Sequence, residues 1–131
     1  MQALLSASRV ADMKTVLLID DEEHEHMFVS YLLKDRYDGA VRVDHARSMD
    51  AARECLASRR VDVILLDDKL GDGTTSADSI PMLQRQAFNV PIIVLSKDTS
   101  GPHLRDRVLM GTNRVVDKFD FRDALAEGLL D

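Results

Sequence analysis

The chain has 131 residues, 45% of them hydrophobic, and a formal net charge of −6. That is the length of one ordinary domain with enough apolar side chains for its own core, and its single cysteine, Cys55, excludes a disulfide framework and fits a reducing compartment. Its acidity argues against nonspecific nucleic-acid binding, which needs a basic face, and no apolar run approaches the length of a membrane span. Neither direct nucleic-acid contact nor membrane insertion is expected, and the expected location is the cytoplasm.

Residues 1–13 lack the long apolar segment of a secretory signal. They read as a flexible N-terminal leader, or as residues upstream of a second start at Met13, with the domain proper at 14–131. A first strand is expected over Lys14 to Asp20, and a helix over Glu23 to Asp35 with Met27, Phe28, Tyr31 and Leu32 at helical spacing. Gly39 breaks the chain before a second strand, Ala40 to His45. Ser48 is a candidate N-cap for a second helix, Met49 to Ser58, with Ala51, Ala52, Cys55 and Leu56 facing the core. The third strand, Val61 to Asp67, is nearly all apolar, as a central strand covered on both faces should be.

The polar stretch from Gly71 to Ala77 reads as a mobile loop. A third helix is expected over Asp78 to Ala87, which keeps Pro81 in its first turn. The fourth strand is Pro91 to Ser96, and the fourth helix is about Pro102 to Met110 with Gly111 as its C-cap. A fifth strand, Asn113 to Asp117, and a fifth helix, Asp120 to Leu130, complete five βα units, with no output domain expected after them. Such alternation predicts an α/β fold with a parallel sheet.

In a parallel sheet the residues closing these strands share one edge, where open α/β sheets bind ligands. Asp20 and Asp21 follow the first strand, Asp67 ends the third, Ser96 the fourth, and Lys118 follows the fifth. Three carboxylates, a hydroxyl and an ammonium can together hold Mg²⁺ and a phosphoryl group.

These residues, in this order and spacing from about Lys14 to Leu130, resemble a response-regulator receiver domain of two-component signalling, of the stand-alone type. The resemblance implies a flavodoxin-like (βα)5 doubly wound sheet with strand order 2-1-3-4-5. It implies that Asp67 accepts a phosphoryl group from phosphohistidine on a histidine kinase or histidine phosphotransfer protein. Asp21 and Asp67 would then be direct Mg²⁺ ligands, Asp20 a direct or water-bridged one, and the backbone carbonyl of Lys69 another. Lys118 would pair with Asp67 at rest and with a phosphoryl oxygen afterwards, and Ser96 would donate to another oxygen. The added charge would reset a surface around the fourth helix, fifth strand and fifth helix, for a downstream protein target or a homodimer.

The chain departs from that family at several places. Val115 stands where the family carries Tyr, Phe or His, and Phe119 where it carries a cis-bonded Pro, so a trans bond and an altered switch are expected. Phe119 and Phe121 form a docking patch, or Phe121 is core and Phe119 alone is exposed. Lys97 replaces a small residue that leaves donors room, and Lys69 and Asp98 occupy positions that tune dephosphorylation, as a covering ion pair or as solvated charges.

Among the histidines, His24 and His26 are at i, i+2 and do not share a helix face, which reads as solvated side chains rather than a metal site; His45 and His103 show no partner. Cys55 reads as a small buried apolar residue. The expected role is regulatory rather than enzymatic: a phosphohydrolase would want a general acid two residues past Asp67, where Lys69 stands, and a flavin phosphate would be repelled by the acidic first loop. The alternative is a receiver-like module that docks or dimerises without phosphorylation.

Overall fold

The computed structural model describes residues 14–71, 73–97 and 114–131. In chain order they form β1 (Lys14–Ile19), α1 (Glu23–Tyr37), β2 (Val41–Ala46), α2 (Met49–Ser58), β3 (Val63–Asp67), α3 (Ser76–Gln86), β4 (Ile92–Ser96), β5 (Arg114–Asp117), a 3-10 turn (Lys118–Asp120) and α4 (Phe121–Ala126). The expected fourth helix, Gly111 and Asp98 lie outside the described residues, so α4 corresponds to the fifth helix expected from sequence.

All strand pairings are parallel, in the order β2-β1-β3-β4-β5. This is the doubly wound α/β arrangement that the alternating pattern predicts. Side chains alternate across the sheet. Val16 and Leu18 of β1 join Leu65, Leu95, Val29, Leu33 and Phe121 in one apolar layer under α1 and α4. Leu17 and Ile19 join Ile64, Leu66, Val94, Ile80 and Leu83 in the other, under α2 and α3. Every residue of β3 and of β4 is buried, which explains their unbroken apolar runs.

Several local expectations need correcting. In α1 the core side chains are Val29, Leu32 and Leu33, whereas Met27, Phe28 and Tyr31 are exposed. The helix carries two adjacent apolar stripes, and the sheet takes the one containing Val29. Helix α3 starts at Ser76, earlier than expected, so Pro81 lies inside it rather than in its first turn. Proline has no N–H for the Ala77 carbonyl one turn back. A start at Thr75 is favoured by its backbone N–H, which donates to Asp78 Oδ2 at 3.0 Å. The loop before it is shorter than expected and is stitched: Leu70 N–H donates to the Thr74 carbonyl and Gly73 N–H to the Leu70 carbonyl, both at 3.0 Å. Cys55 is half-buried rather than buried. Ser48 caps α2 as expected, accepting from the Ala51 N–H at 3.1 Å.

The two ends of the described chain are fastened together. Lys14 Nζ donates to the Leu130 carbonyl. Arg36 and Tyr37 at the end of α1 reach Asp131 at 2.9 and 2.8 Å.

Candidate functional site

Register brings the polar strand ends level. Ile19 pairs with Leu66, Asp67 with Leu95, and Ser96 with Asp117. The next residues, Asp20 and Lys118, therefore leave the sheet beside Asp67. Asp20 stays buried because its N–H donates to the Ala46 carbonyl at 3.0 Å and its Oδ1 accepts from the Glu22 N–H at 2.9 Å. That second bond turns the chain into α1 and satisfies a donor at the start of the helix.

Lys118 lies among three carboxylates. Its Nζ is 2.8 Å from Asp67 Oδ1, 2.6 Å from Glu25 Oε2 and 3.8 Å from Asp20 Oδ2. Oxygens of Asp20, Glu25 and Asp67 all lie within 4.8 Å of one another. Lys97 reaches the outer oxygen of Glu25, Oε1, at 3.0 Å. A cleft of about 270 Å³ opens here, and Asp67, Asp68, Lys69, Ser96, Lys97 and Glu25 are among its lining residues.

The electrostatics follow from burial and pairing. Burial, then the hydrogen bond shared with Glu25 and the nearby charge of Asp67, raises the Asp20 carboxyl to about 7. Burial also works to raise Glu25, but its bonds to Asp20, Lys118 and Lys97 outweigh that and hold it near 2. The opposite directions of the two shifts mean that a proton is held more readily by the more buried Asp20 than by Glu25. Burial raises Asp67 too, against the pull of Lys118. Burial disfavours the Lys118 charge, yet its bonds to Asp67 and Glu25 win and raise it above an ordinary lysine. Lys118 thus pairs with the carboxylates of Glu25 and Asp67, and Lys97 with the outer oxygen of Glu25.

Asp68, next in the chain, is also buried and borders the cleft, but its carboxylate bonds to hydroxyls. Its Oδ1 accepts from Ser76 Oγ at 2.7 Å and its Oδ2 from Ser96 Oγ at 3.4 Å. Its backbone N–H donates to the Leu95 carbonyl at 2.9 Å, and its carbonyl accepts from the Ser76 N–H at 2.7 Å. Asp68 therefore ties β3 to β4 and to the start of α3.

The remaining predicted residues divide. Asp21 is exposed and is not one of the three clustered carboxylates; a Cβ on Gly71 would stand 2.2 Å from its Oδ2, so its carboxylate rests against that glycine. Lys69 is exposed, with its backbone bridged to Thr75. Lys97, rather than Lys69, crosses the cleft. Val115 is half-buried against the α2/α3 layer. Phe119 is 81% exposed while Phe121 is 1% exposed, so the two rings do not form one patch. The peptide before Phe119 is trans, and Asp117 Oδ1 accepts from the Phe119 N–H at 2.9 Å to start the 3-10 turn. Phe28 and Phe119 line an apolar groove of about 330 Å³ beside the cleft.

Sequence reasoning missed Glu25, Asp68 and Ser76. Glu25 had a usable signal, because it precedes core residue Val29 by one turn and so shares its face.

The sequence model described as the response regulator receiver domain matches residues 16–128. No curated protein matches the chain. Among solved structures, chemotaxis protein CheY4 of Vibrio cholerae is similar at 24% identity, with a TM-score of 0.76 over 89% of this chain and 96% of that one. The receiver domain of sensor histidine kinase PA1611 from Pseudomonas aeruginosa, solved with a magnesium ion in its active-site cleft, is 21% identical, with a TM-score of 0.73 over 87% of this chain and 92% of that one. Response regulator TrrA from Thermotoga maritima, in complex with Mg²⁺ and BeF, is 21% identical, with a TM-score of 0.71 over 90% of this chain and 100% of that one.

Proposed function

Because this chain belongs to the response regulator receiver domain family, we propose that it is a phosphoacceptor of a two-component system or phosphorelay, with Asp67 as the residue that takes the phosphoryl group. The observation that carries the reading is the ammonium of Lys118 at 2.8 Å from the buried Asp67 carboxylate. That contact favours the ionised form against burial, and an ionised carboxylate is the nucleophile.

In the transfer, the N–P bond of a donor phosphohistidine breaks as an Asp67 oxygen bonds to phosphorus. The donor imidazole leaves with the electron pair of that bond and takes up a proton. Lys118 exchanges part of its pairing with Asp67 for a phosphoryl oxygen. Ser96 exchanges its long bond to Asp68 for another. Lys97 and Glu25 border the entrance, so donor access depends on that ion pair opening.

The donor set fits a hard divalent cation: Asp20 and Asp67 are buried carboxylates within reach of each other, with Asp21 and the Lys69 carbonyl on the adjoining loops. Mg²⁺ held by these groups would neutralise charge on the phosphoryl oxygens. Glu25 competes with it for Asp20 and holds Lys118 in its absence.

The switch would act through the β5–α4 face, where Val115 gives less bulk than an aromatic ring and Phe119 projects outward. Partners of the proposed cycle are a histidine kinase or histidine phosphotransfer protein and a downstream protein target.

Intact mass after incubation with Mg²⁺ and a phosphorylated histidine phosphotransfer protein tests the reading. One phosphoryl adduct on the natural chain and none on Asp67→Asn is expected. An equal adduct on Asp67→Asn overturns the assignment by placing the phosphoryl group on another residue, and no adduct on either chain overturns it in favour of phosphorylation-independent docking.

A further inference from the structure

Beside the Asp20 carbonyl, the fold brings one side chain of β2 against two that lie a turn apart at the start of α1. His45 lies in β2, and Glu23 and His26 lie in the first turns of α1. The rings of His26 and His45 stack with centroids 3.9 Å apart and planes within 7°. Donor atoms of Glu23, His26 and His45 all lie within 4.8 Å of one another. None of the three belongs to the Asp20–Glu25–Asp67 group.

Two hydrogen-bonding facts give this cluster direction. His45 Nε2 is 2.6 Å from the Asp20 carbonyl oxygen. A carbonyl only accepts, so Nε2 carries the hydrogen, and the neutral ring keeps its lone pair on Nδ1. Donation of one ring N–H to a backbone carbonyl is how proteins orient a histidine whose other nitrogen binds metal. His26 Nδ1, in turn, is buried and has no hydrogen-bond partner. Its nearest acid oxygen, Glu23 Oε1, is 3.9 Å away, beyond hydrogen-bond range. An imidazole nitrogen with no hydrogen bond, beside an oriented imidazole and a carboxylate, makes a donor set suited to a cation.

We propose that Glu23, His26 and His45 form a binding site for a borderline transition-metal cation of the zinc class, separate from the acidic cleft. Two imidazoles and one carboxylate, with water in the fourth position, suit zinc; magnesium prefers all-oxygen ligands. Parallel rings cannot both point their in-plane lone pairs at one ion, so one ring must turn. The His26 ring turns more readily, because its Nδ1 breaks no hydrogen bond, whereas His45 is held by Asp20. Arg47 pairs with the other oxygen of Glu23, leaving Oε1 for the ion. Occupancy would clamp the start of α1 to β2 and tighten the hydrogen bond to Asp20. The inference does not rest on phosphorylation of Asp67.

The test is calorimetric titration of the untagged full chain with Zn²⁺, in excess Mg²⁺ so that the acidic cleft is competed. One-to-one binding is expected. His26→Gln and His45→Gln should each weaken it more than about tenfold, Glu23→Gln should weaken it less, and Asp67→Asn should leave it unchanged. Co²⁺ should give a ligand-field absorption band in the natural chain that is absent from His26→Gln. Should His45→Gln fail to fold, His26→Gln carries the test, since its Nδ1 makes no hydrogen bond to lose. Equal zinc affinity in His26→Gln and the natural chain overturns the proposal. So does loss of binding in Asp67→Asn, which would place zinc in the acidic cleft.

Discussion

Asp67 and Asp68 are neighbours in the chain and both are buried, yet an ammonium holds the first and two hydroxyls hold the second. Successive side chains at a strand end diverge, so one aspartate meets Lys118 in the cleft, and the other, at the cleft's border, bonds into the seam between β3, β4 and α3. The two settings differ in what can replace the partner. An ion pair in a cleft lined by charges can be remade around a metal cation or a phosphoryl group with little geometric penalty. A carboxylate bonded to Ser76 at 2.7 Å, with its own backbone paired to the same residue, fixes a position. In the proposed function, chemistry belongs to the first aspartate and alignment to the second.

The sharpest way to break this contrast is to substitute both. Asp68→Ala removes the acceptor of the buried Ser76 hydroxyl and loosens Ser96, and should cost about 2–4 kcal/mol in urea denaturation. Asp67→Asn removes a carboxylate whose ionisation burial already opposes. It should change the stability of the metal-free chain by less than about 1 kcal/mol. Equal losses in the two variants would erase the distinction.

The next test uses pH and metal. Asp20 is raised to about 7, chiefly by burial. A raised carboxyl stabilises the fold while protonated. Its contribution is complete below the unfolded value of 3.8 and is lost as pH rises through about 7. Glu25 has the opposite sign: its contribution is present above the unfolded value of 4.5 and is lost as pH falls towards about 2. Between about pH 5 and pH 8 the Asp20 effect dominates, so the metal-free melting temperature should fall. If Asp20 is a ligand, Mg²⁺ must displace its proton, so the stabilisation Mg²⁺ gives should grow over the same interval. Stabilisation by Mg²⁺ that is flat with pH would mean that Asp20 is not a ligand.

A smaller effect is expected for Glu25→Gln. The substitution removes the anionic partner that favours a proton on Asp20, and it also frees Lys97. The pH midpoint of Mg²⁺ binding should move lower, and labelling by a small phosphodonor should quicken severalfold. Unchanged labelling would show that the Lys97–Glu25 pair is not a barrier.

Legibility followed physical type. The strands were readable because each central one is a continuous apolar run, and the order of the sheet followed from the receiver resemblance. Asp67, Lys118, Asp20 and Ser96 were readable as strand-end positions, and the structure brings all four to one edge. The exposed face of α1 was not readable, because Met27, Phe28 and Tyr31 compete with Val29, Leu32 and Leu33 at the same helical spacing and only packing chooses. Glu25 was missed because it ends no strand, although it lies one turn before core residue Val29. The His26–His45 stack was hidden because its members lie on a helix and a strand 19 positions apart (45 minus 26).

The mildest perturbation addresses the one acidic residue that the geometry leaves outside the cluster. Gly71 packs against Asp21, and a methyl group there would stand 2.2 Å from Asp21 Oδ2 and 3.4 Å from its Cγ. Those atoms end a short, exposed side chain that can swing into solvent, so Gly71→Ala should alter folding stability by less than about 0.5 kcal/mol. The carboxylate must nevertheless leave its place beside the β3–α3 loop, where the Lys69 carbonyl lies. If Asp21 belongs to the cation site, thermal stabilisation by Mg²⁺ should therefore shrink in Gly71→Ala while the metal-free melting temperature stays the same. If Mg²⁺ stabilises Gly71→Ala as much as the natural chain, the cation depends on Asp20, Asp67 and Glu25, the carboxylates that already surround Lys118.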